Sequence, residues 1–222
     1  MRLMDSYDIP EALVADPRSP AFEKFLWNWF GNPLALSRRE LDITFLKDLT
    51  PEELSTAREL VRRNLPLKHT QLFDGAAALR DVEALPILKR MLGEETSLSW
   101  RLTISGALWR IDRDPVFIGC LEEAKFLEPS VFQWVHLFQV LWLDDERVVD
   151  FLVDLLDQKD RMARAAVLRL LNELESGQRM WVPAEKMPHQ PADYRRLRND
   201  PVFRAHMVEA IHRWNAESRN GR

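Results

Sequence analysis

Few residues of this chain have types and spacings that could do chemistry. In PVFRAHMVEAIHRW, His206, Glu209 and His212 stand at i, i+3 and i+6, so one ExxH pair would share a helix face. A carboxylate-bridged metal centre in a helical bundle needs a second such pair on a facing helix, and the sequence contains none, so no metal ligand is assigned. Cys120 lies in VFIGCLEEA, among apolar neighbours and without a nearby His or Arg to lower its pKa. That setting describes an inert buried thiol rather than a nucleophile. His136 belongs with Gln133 and Gln139 to a polar stripe on an otherwise apolar segment, which reads as a narrow solvent window. The phosphate-cradling, nucleophile-elbow and zinc patterns GxGxxG, GxxxxGK[ST], GxSxG and HExxH are absent, so neither a catalytic residue nor a cofactor-binding residue is assigned.

The spacing that carries most information is acidic. In DDERVVDFLVDLLDQKD (144–160), Asp150, Asp154 and Asp157 recur at i, i+4 and i+7, while Val149, Leu152, Val153 and Leu156 take the other sides of the same helix. Like charges in such a row repel one another, so the strip suits a basic ligand. Thirty-one residues before Asp154 stands Glu123, with Glu122 beside it. Together with aromatic anchors such as Trp142, Trp134 and Trp181, these side chains define a candidate partner site: Glu122, Glu123, Trp142, Asp150, Asp154, Asp157 and Trp181.

The elements that must position these residues repeat. ALRDVEALPIL (78–88) returns as ALWRIDRDPVF (107–117) and VLWLDDERVVDFL (140–152), each an apolar helical run broken by acidic residues and restarted. Apolar anchors closing the first run fall at Leu79, Ile111, Leu143 and Leu174, spaced 32, 32 and 31. Ile104, His136 and Val167 keep that register two turns earlier, and Leu88, Leu121 and Leu152 keep it in the second run. A period of this length marks helical pairs that bury their apolar faces by stacking on neighbours. Start signals agree: Ser97 precedes one helix, Pro115 and Pro129 open others, and Thr50-Pro51 with Glu53 forms a capping-box pattern. No stretch alternates with period two, so no sheet is expected.

The ends depart from the repeat. AFEKFLWNWF (21–30) has a buried-stripe pattern in Phe22, Phe25, Leu26 and Trp29, whereas 176–200 carries three prolines and little periodicity and reads as a long loop. A closing helix over 201–216 would turn Val202, Met207 or His206, Ile211 and Trp214 inward. The expected organisation is one domain over 1–222: capping helices in 1–48, repeats in 49–175, the loop in 176–200 and a final cap in 201–216. A net charge of −4, with 31 basic and 35 acidic residues, argues against nucleic acid as a general partner. The longest uncharged run near the middle, Pro129 to Leu143, has 15 residues, short of the roughly 20 a spanning helix needs, so no membrane partner is expected. One cysteine and no apolar leader suggest the cytoplasm.

Helical pairs of 31–33 residues with Asp81, Asp112 or Asp114, and Asp144 or Asp145 at the inner turn resemble the HEAT-repeat class over about residues 50–175. The second-run sets Leu85/Leu88/Leu92, Val116/Leu121/Phe126 and Val149/Leu152/Leu156 carry the same likeness. The resemblance implies an all-α fold, a right-handed α-solenoid of about four to five HEAT-like hairpins with capping helices at both ends. It also implies that second helices line the concave side, which would put the acidic strip there. The function expected is a non-catalytic binding scaffold or inhibitor that grips a basic protein, with a bacterial immunity protein neutralising a toxin as one version. WRIDRD (109–114) supplies Trp109, Asp112, Arg113 and Asp114, side-chain types that resemble those of HEAT-like alkylpurine DNA glycosylases; this is the alternative. HEAT-like bilin lyases share only the fold.

Overall fold

The computed structural model describes residues 7–14, 18–31, 43–125, 140–144, 146–157, 161–177 and 187–219. Every regular element among them is helical, and none is long and apolar enough to cross a membrane. The chain divides into two compact units, Met1–Phe117 together with Arg219–Arg222, and Ile118–Ser218.

In the first unit, α1 (Pro20–Leu26) begins on Ser19, whose hydroxyl accepts from Phe22 N at 3.1 Å, and proline occupies the first turn, where its missing N–H is harmless. α2 (Pro51–Asn64) begins on the capping box expected from sequence: Thr50 Oγ1 accepts from Glu53 N at 3.2 Å and Glu53 Oε2 accepts from Thr50 N at 3.0 Å. Glu53 also accepts from Ser19 N at 2.8 Å, so one carboxylate ties together two helix starts. Its pKa is lowered, because the N–H and hydroxyl bonds from Thr50 and Ser19 outweigh the upward push of burial.

Phe22, Phe25, Leu26 and Trp29 are all buried, as their spacing predicts. Trp29 donates from its indole to Gln71 O at 3.0 Å, which fixes the ring against α3 (Thr70–Ala78). There the approach is so close that a Cβ on Gly75 would stand 2.5 Å from Trp29 Nε1. α4 (Leu85–Glu94) and α5 (Leu98–Asp112) pack against each other, and α3 packs on α5.

The inner turns repeat in conformation as well as in sequence. Left-handed residues stand at Arg80 (φ 47°), Arg113 (φ 56°), Asp144 (φ 55°) and Gly177 (φ 68°), spaced 33, 31 and 33. Lys68, at the α2–α3 connection, is left-handed too. Arg80 and Arg113 are each followed by an aspartate that caps the next helical turn: Asp81 accepts from Glu83 N at 3.2 Å, and Asp114 accepts from Val116 N at 3.1 Å, opening α6 (Val116–Lys125). A cation from an earlier helix holds each of them, Arg62 at 2.7 Å from Asp81 and Lys89 at 3.0 Å from Asp114.

In the second unit α7 (Arg147–Leu156) buries Val148, Val149, Phe151, Leu152, Val153, Leu155 and Leu156, and it packs on α8 (Arg161–Ser176). Of the expected second-run sets, Leu88, Leu121, Val149, Leu152 and Leu156 are buried. Val116 is exposed, because it sits in the first turn of its helix beside the Asp114 cap; Phe126 lies outside the described residues.

The stretch 176–200 is not wholly a loop. α9 (Pro191–Arg195) and a 3-10 turn at Arg196–Arg198 follow the αL residue Gly177, and they bury Tyr194 and Leu197 completely. α10 (Pro201–Arg219) then turns Met207, Ala210 and Ile211 inward, while Val202 and His206 face solvent. Val202 is outside for the same reason as Val116: Asp200-Pro201-Val202-Phe203 repeats the Asp114-Pro115-Val116-Phe117 start, with Asp200 accepting from Val202 N at 3.1 Å.

Candidate functional site

The helical period of α7 places Asp150, Asp154 and Asp157 on the side away from its buried Leu152 and Leu156. What meets that side is the chain's own C-terminal segment. Arg195 Nε lies 2.8 Å from Asp157 Oδ1. Arg198 bridges two carboxylates, with Nη1 at 2.7 Å from Asp157 Oδ2 and Nη2 at 2.9 Å from Asp154 Oδ1. Arg204 grips Asp150 with both Nη atoms, at 2.7 and 2.8 Å, and donates to Glu146 O at 3.0 Å. Three guanidinium groups therefore stand opposite three aspartates, with the Glu146 carboxylate, 3.7 Å from Arg204 Nε, as a fourth negative group, so most of the charge on this face is compensated.

The pairing is electrostatically consistent from both sides. Burial pushes the Asp157 carboxyl up, but the hydrogen bonds and charges of Arg195 and Arg198 hold it below the usual carboxylate range. The Asp157 bond raises Arg198 and the Asp150 bond raises Arg204. These pairs are wet, with Arg195 50%, Arg198 42% and Asp157 35% exposed, and Arg204 is the best covered at 20%. Exposed pairs of this kind contribute on the order of 0–1 kcal/mol each. They set register more than they hold the segment down; that holding comes from the buried Tyr194 and Leu197.

Beside the ladder sits a second polar cluster. Tyr194 donates its hydroxyl to Glu175 Oε2 at 2.9 Å, and His189 Nε2 lies 3.6 Å from Glu175 Oε1. Burial and the neighbouring Glu175 carboxylate push the Tyr194 phenol far above its ordinary value. Asn172 clamps the His189 backbone from both sides, accepting from its N–H at 3.1 Å and donating to its carbonyl at 3.2 Å. Farther along α10, Asn215 donates to Leu141 O at 2.7 Å and to Asp144 Oδ1 at 2.9 Å, which ties the helix to the left-handed turn.

Glu122 and Glu123 are exposed on α6. Trp142 lies in the 3-10 turn Leu141–Leu143, its side chain outside the described residues, as are Trp134, His136 and Trp181 altogether. Cys120 is buried. Among the described residues no three His, Cys, Asp or Glu side chains group so as to hold a metal ion. Trp109 is buried against Phe117, ring centroids 6.2 Å apart, with the Arg113 guanidinium 5.2 Å over its ring, Asp114 caps α6 and pairs with Lys89, and Asp112 is exposed. Arg195, Arg198 and Arg204, which complete the acidic face, are not among the residues that the sequence pattern singles out. The signal that could have found Arg195 and Arg198 is the DYRRLR run, in which they stand three apart on one side. Compared with known proteins, the chain matches no family model, no curated protein and no solved structure.

Proposed function

We propose that the protein is a non-catalytic binding scaffold, a HEAT-like stack of helical hairpins working in the cytoplasm, whose acidic side grips a basic protein; an immunity protein neutralising a cationic toxin is one concrete version. The observation that carries the reading is the recurrence of a left-handed inner turn at residues 80, 113, 144 and 177. Hairpins that repeat in both sequence and backbone conformation are units built to stack, and stacked hairpins present extended surfaces for other chains. Among the described residues, Cys120 is buried, Asp114 caps a helix and Asp157 is paired with Arg198, in keeping with that reading. Glu122 and Glu123 offer exposed negative charge on α6, and Asp150, Asp154 and Asp157 offer it on α7 in exchange for their present partners.

The test is affinity capture from the native host with tagged wild type beside two variants, Glu122→Lys/Glu123→Lys and Asp150→Lys/Asp154→Lys, read by mass spectrometry. A basic protein held by the wild type and lost by either variant is the expected result. Capture of the same proteins by all three would overturn the acidic-face reading, and retention on DNA that falls steeply with salt would favour a nucleic-acid enzyme instead.

A further inference from the structure

The acidic face of α7 is more than a row of carboxylates, because it already holds guanidinium groups in binding geometry. One is bidentate, Arg204 on Asp150 at 2.7 and 2.8 Å, and one bridges, Arg198 between Asp154 and Asp157. All come from one short stretch, 195–204, whose backbone is anchored independently by the buried Tyr194 and Leu197. Anchored backbone and side chains that reach the surface make a particular combination: the arginine heads can swing into water while the segment stays docked, Arg204, 20% exposed, least readily. We propose that Arg195, Arg198 and Arg204 form an internal strap that occupies the acidic face as an arginine-bearing partner would, so that a partner segment gains Asp150, Asp154 and Asp157 only by displacing these side chains. This rests on the docking reading above and adds to it a partner chemistry, guanidinium groups, and a built-in competitor.

The physical consequences are specific. Three guanidinium groups offset the three aspartates and leave Glu146 as the remaining carboxylate of the cluster, so the occupied face exerts a much weaker long-range pull on a cationic chain than the bare carboxylates would. Each pair contributes little, but a ligand that must first displace three of them has its affinity reduced by the product of the fractions of time each pair stands open, about tenfold in all.

A fluorescein-labelled nona-arginine peptide serves as the probe, read by fluorescence anisotropy in about 50 mM salt, where screening still permits such contacts. The triple variant Arg195→Gln/Arg198→Gln/Arg204→Gln should bind it about tenfold more tightly than wild type. Adding Asp150→Asn/Asp154→Asn/Asp157→Asn to that variant should return the affinity to the wild-type level. The triple variant changes the net charge from −4 to −4 − 3 = −7. A charge-matched control, Lys47→Gln/Arg90→Gln/Arg213→Gln at exposed positions, should gain much less. Circular dichroism checks that each variant folds; if the triple does not, Arg198→Gln alone should gain about threefold. No gain in a folded variant, a gain matched by the control, or a gain that survives removal of the three aspartates would each overturn the strap. The probe reads the strap whatever the natural partner is, so a strap that holds beside a capture experiment that fails would reject the scaffold reading alone.

Discussion

Asp81 in the first unit and Asp157 in the second are both aspartates held by arginine, and they behave in opposite ways. Asp81 is 1% exposed, its Oδ1 takes Arg62 at 2.7 Å, and its buried Oδ2 has no hydrogen-bond partner. Burial pushes its carboxyl above the usual value despite the Arg62 charge beside it. Asp157, about a third exposed, has both oxygens on guanidinium groups and is held below the usual value. The difference is desolvation: the same ion pair is a high-stakes structural device when dry and a replaceable register mark when wet.

Arg62→Ala breaks the dry pair and should cost most, about 3–5 kcal/mol in urea unfolding, because it leaves Asp81 charged and buried. A cost under about 1 kcal/mol would remove the contrast. Beneath the wet face, Leu152→Ala should cost about 2–5 kcal/mol, since Leu152 is fully buried on α7; a negligible change would mean that the acidic side has been placed on the wrong side of the helix. Gly75→Ala drives a Cβ toward Trp29 Nε1 and should cost about 1–3 kcal/mol, with a shift in tryptophan fluorescence as the indole leaves Gln71. Arg198→Gln should cost below about 1 kcal/mol and less still in about 1 M salt.

Acid should separate the two regions by sign. A carboxyl depressed in the folded state, such as Asp157, contributes stability above its unfolded pKa, and that contribution is lost as pH falls through the folded value. Asp81, raised in the folded state, does the reverse: its ionisation opposes folding at neutral pH, and stability is recovered as pH falls from its raised folded value toward the ordinary one. Pairing stability–pH curves for Asp157→Asn and Asp81→Asn with wild type checks this; two differences of the same sign would contradict it.

Much of the helical plan was legible in the sequence, for reasons visible at single residues. Thr50 and Glu53 announced a helix start, and the stripe Phe22, Phe25, Leu26 and Trp29 announced a buried face, because both signals are local. The inner turns were legible in position but not in conformation. Left-handed backbone at Arg80, Arg113 and Asp144 costs about 1–2 kcal/mol for a residue with a Cβ, and only the packing of the flanking helices can supply it. The prolines of 176–200 suggested a loop, yet Pro191 opens a helix behind a Gln190–Asp193 capping box, a start signal that looked like a breaker.

The occupant of the acidic face was the least legible feature. Periodicity tells which residues share a side of α7, and nothing local tells that arginines 38 to 54 residues away will cover it. Long-range pairing is set by how Tyr194 and Leu197 find their seats, a tertiary fact with no period.

Whether the acidic face of α7 is held by the chain's own arginines is tested most directly by a double-mutant cycle on Asp150 and Arg204, the bidentate pair with the best-covered guanidinium. Asp150→Asn, Arg204→Gln and the combination would be unfolded in urea at low salt. The expected coupling is about 0.5–1 kcal/mol, because either change alone should forfeit the same interaction. Strict additivity of the two changes would show that the face and the arginines are energetically independent, and that the strap does not hold it.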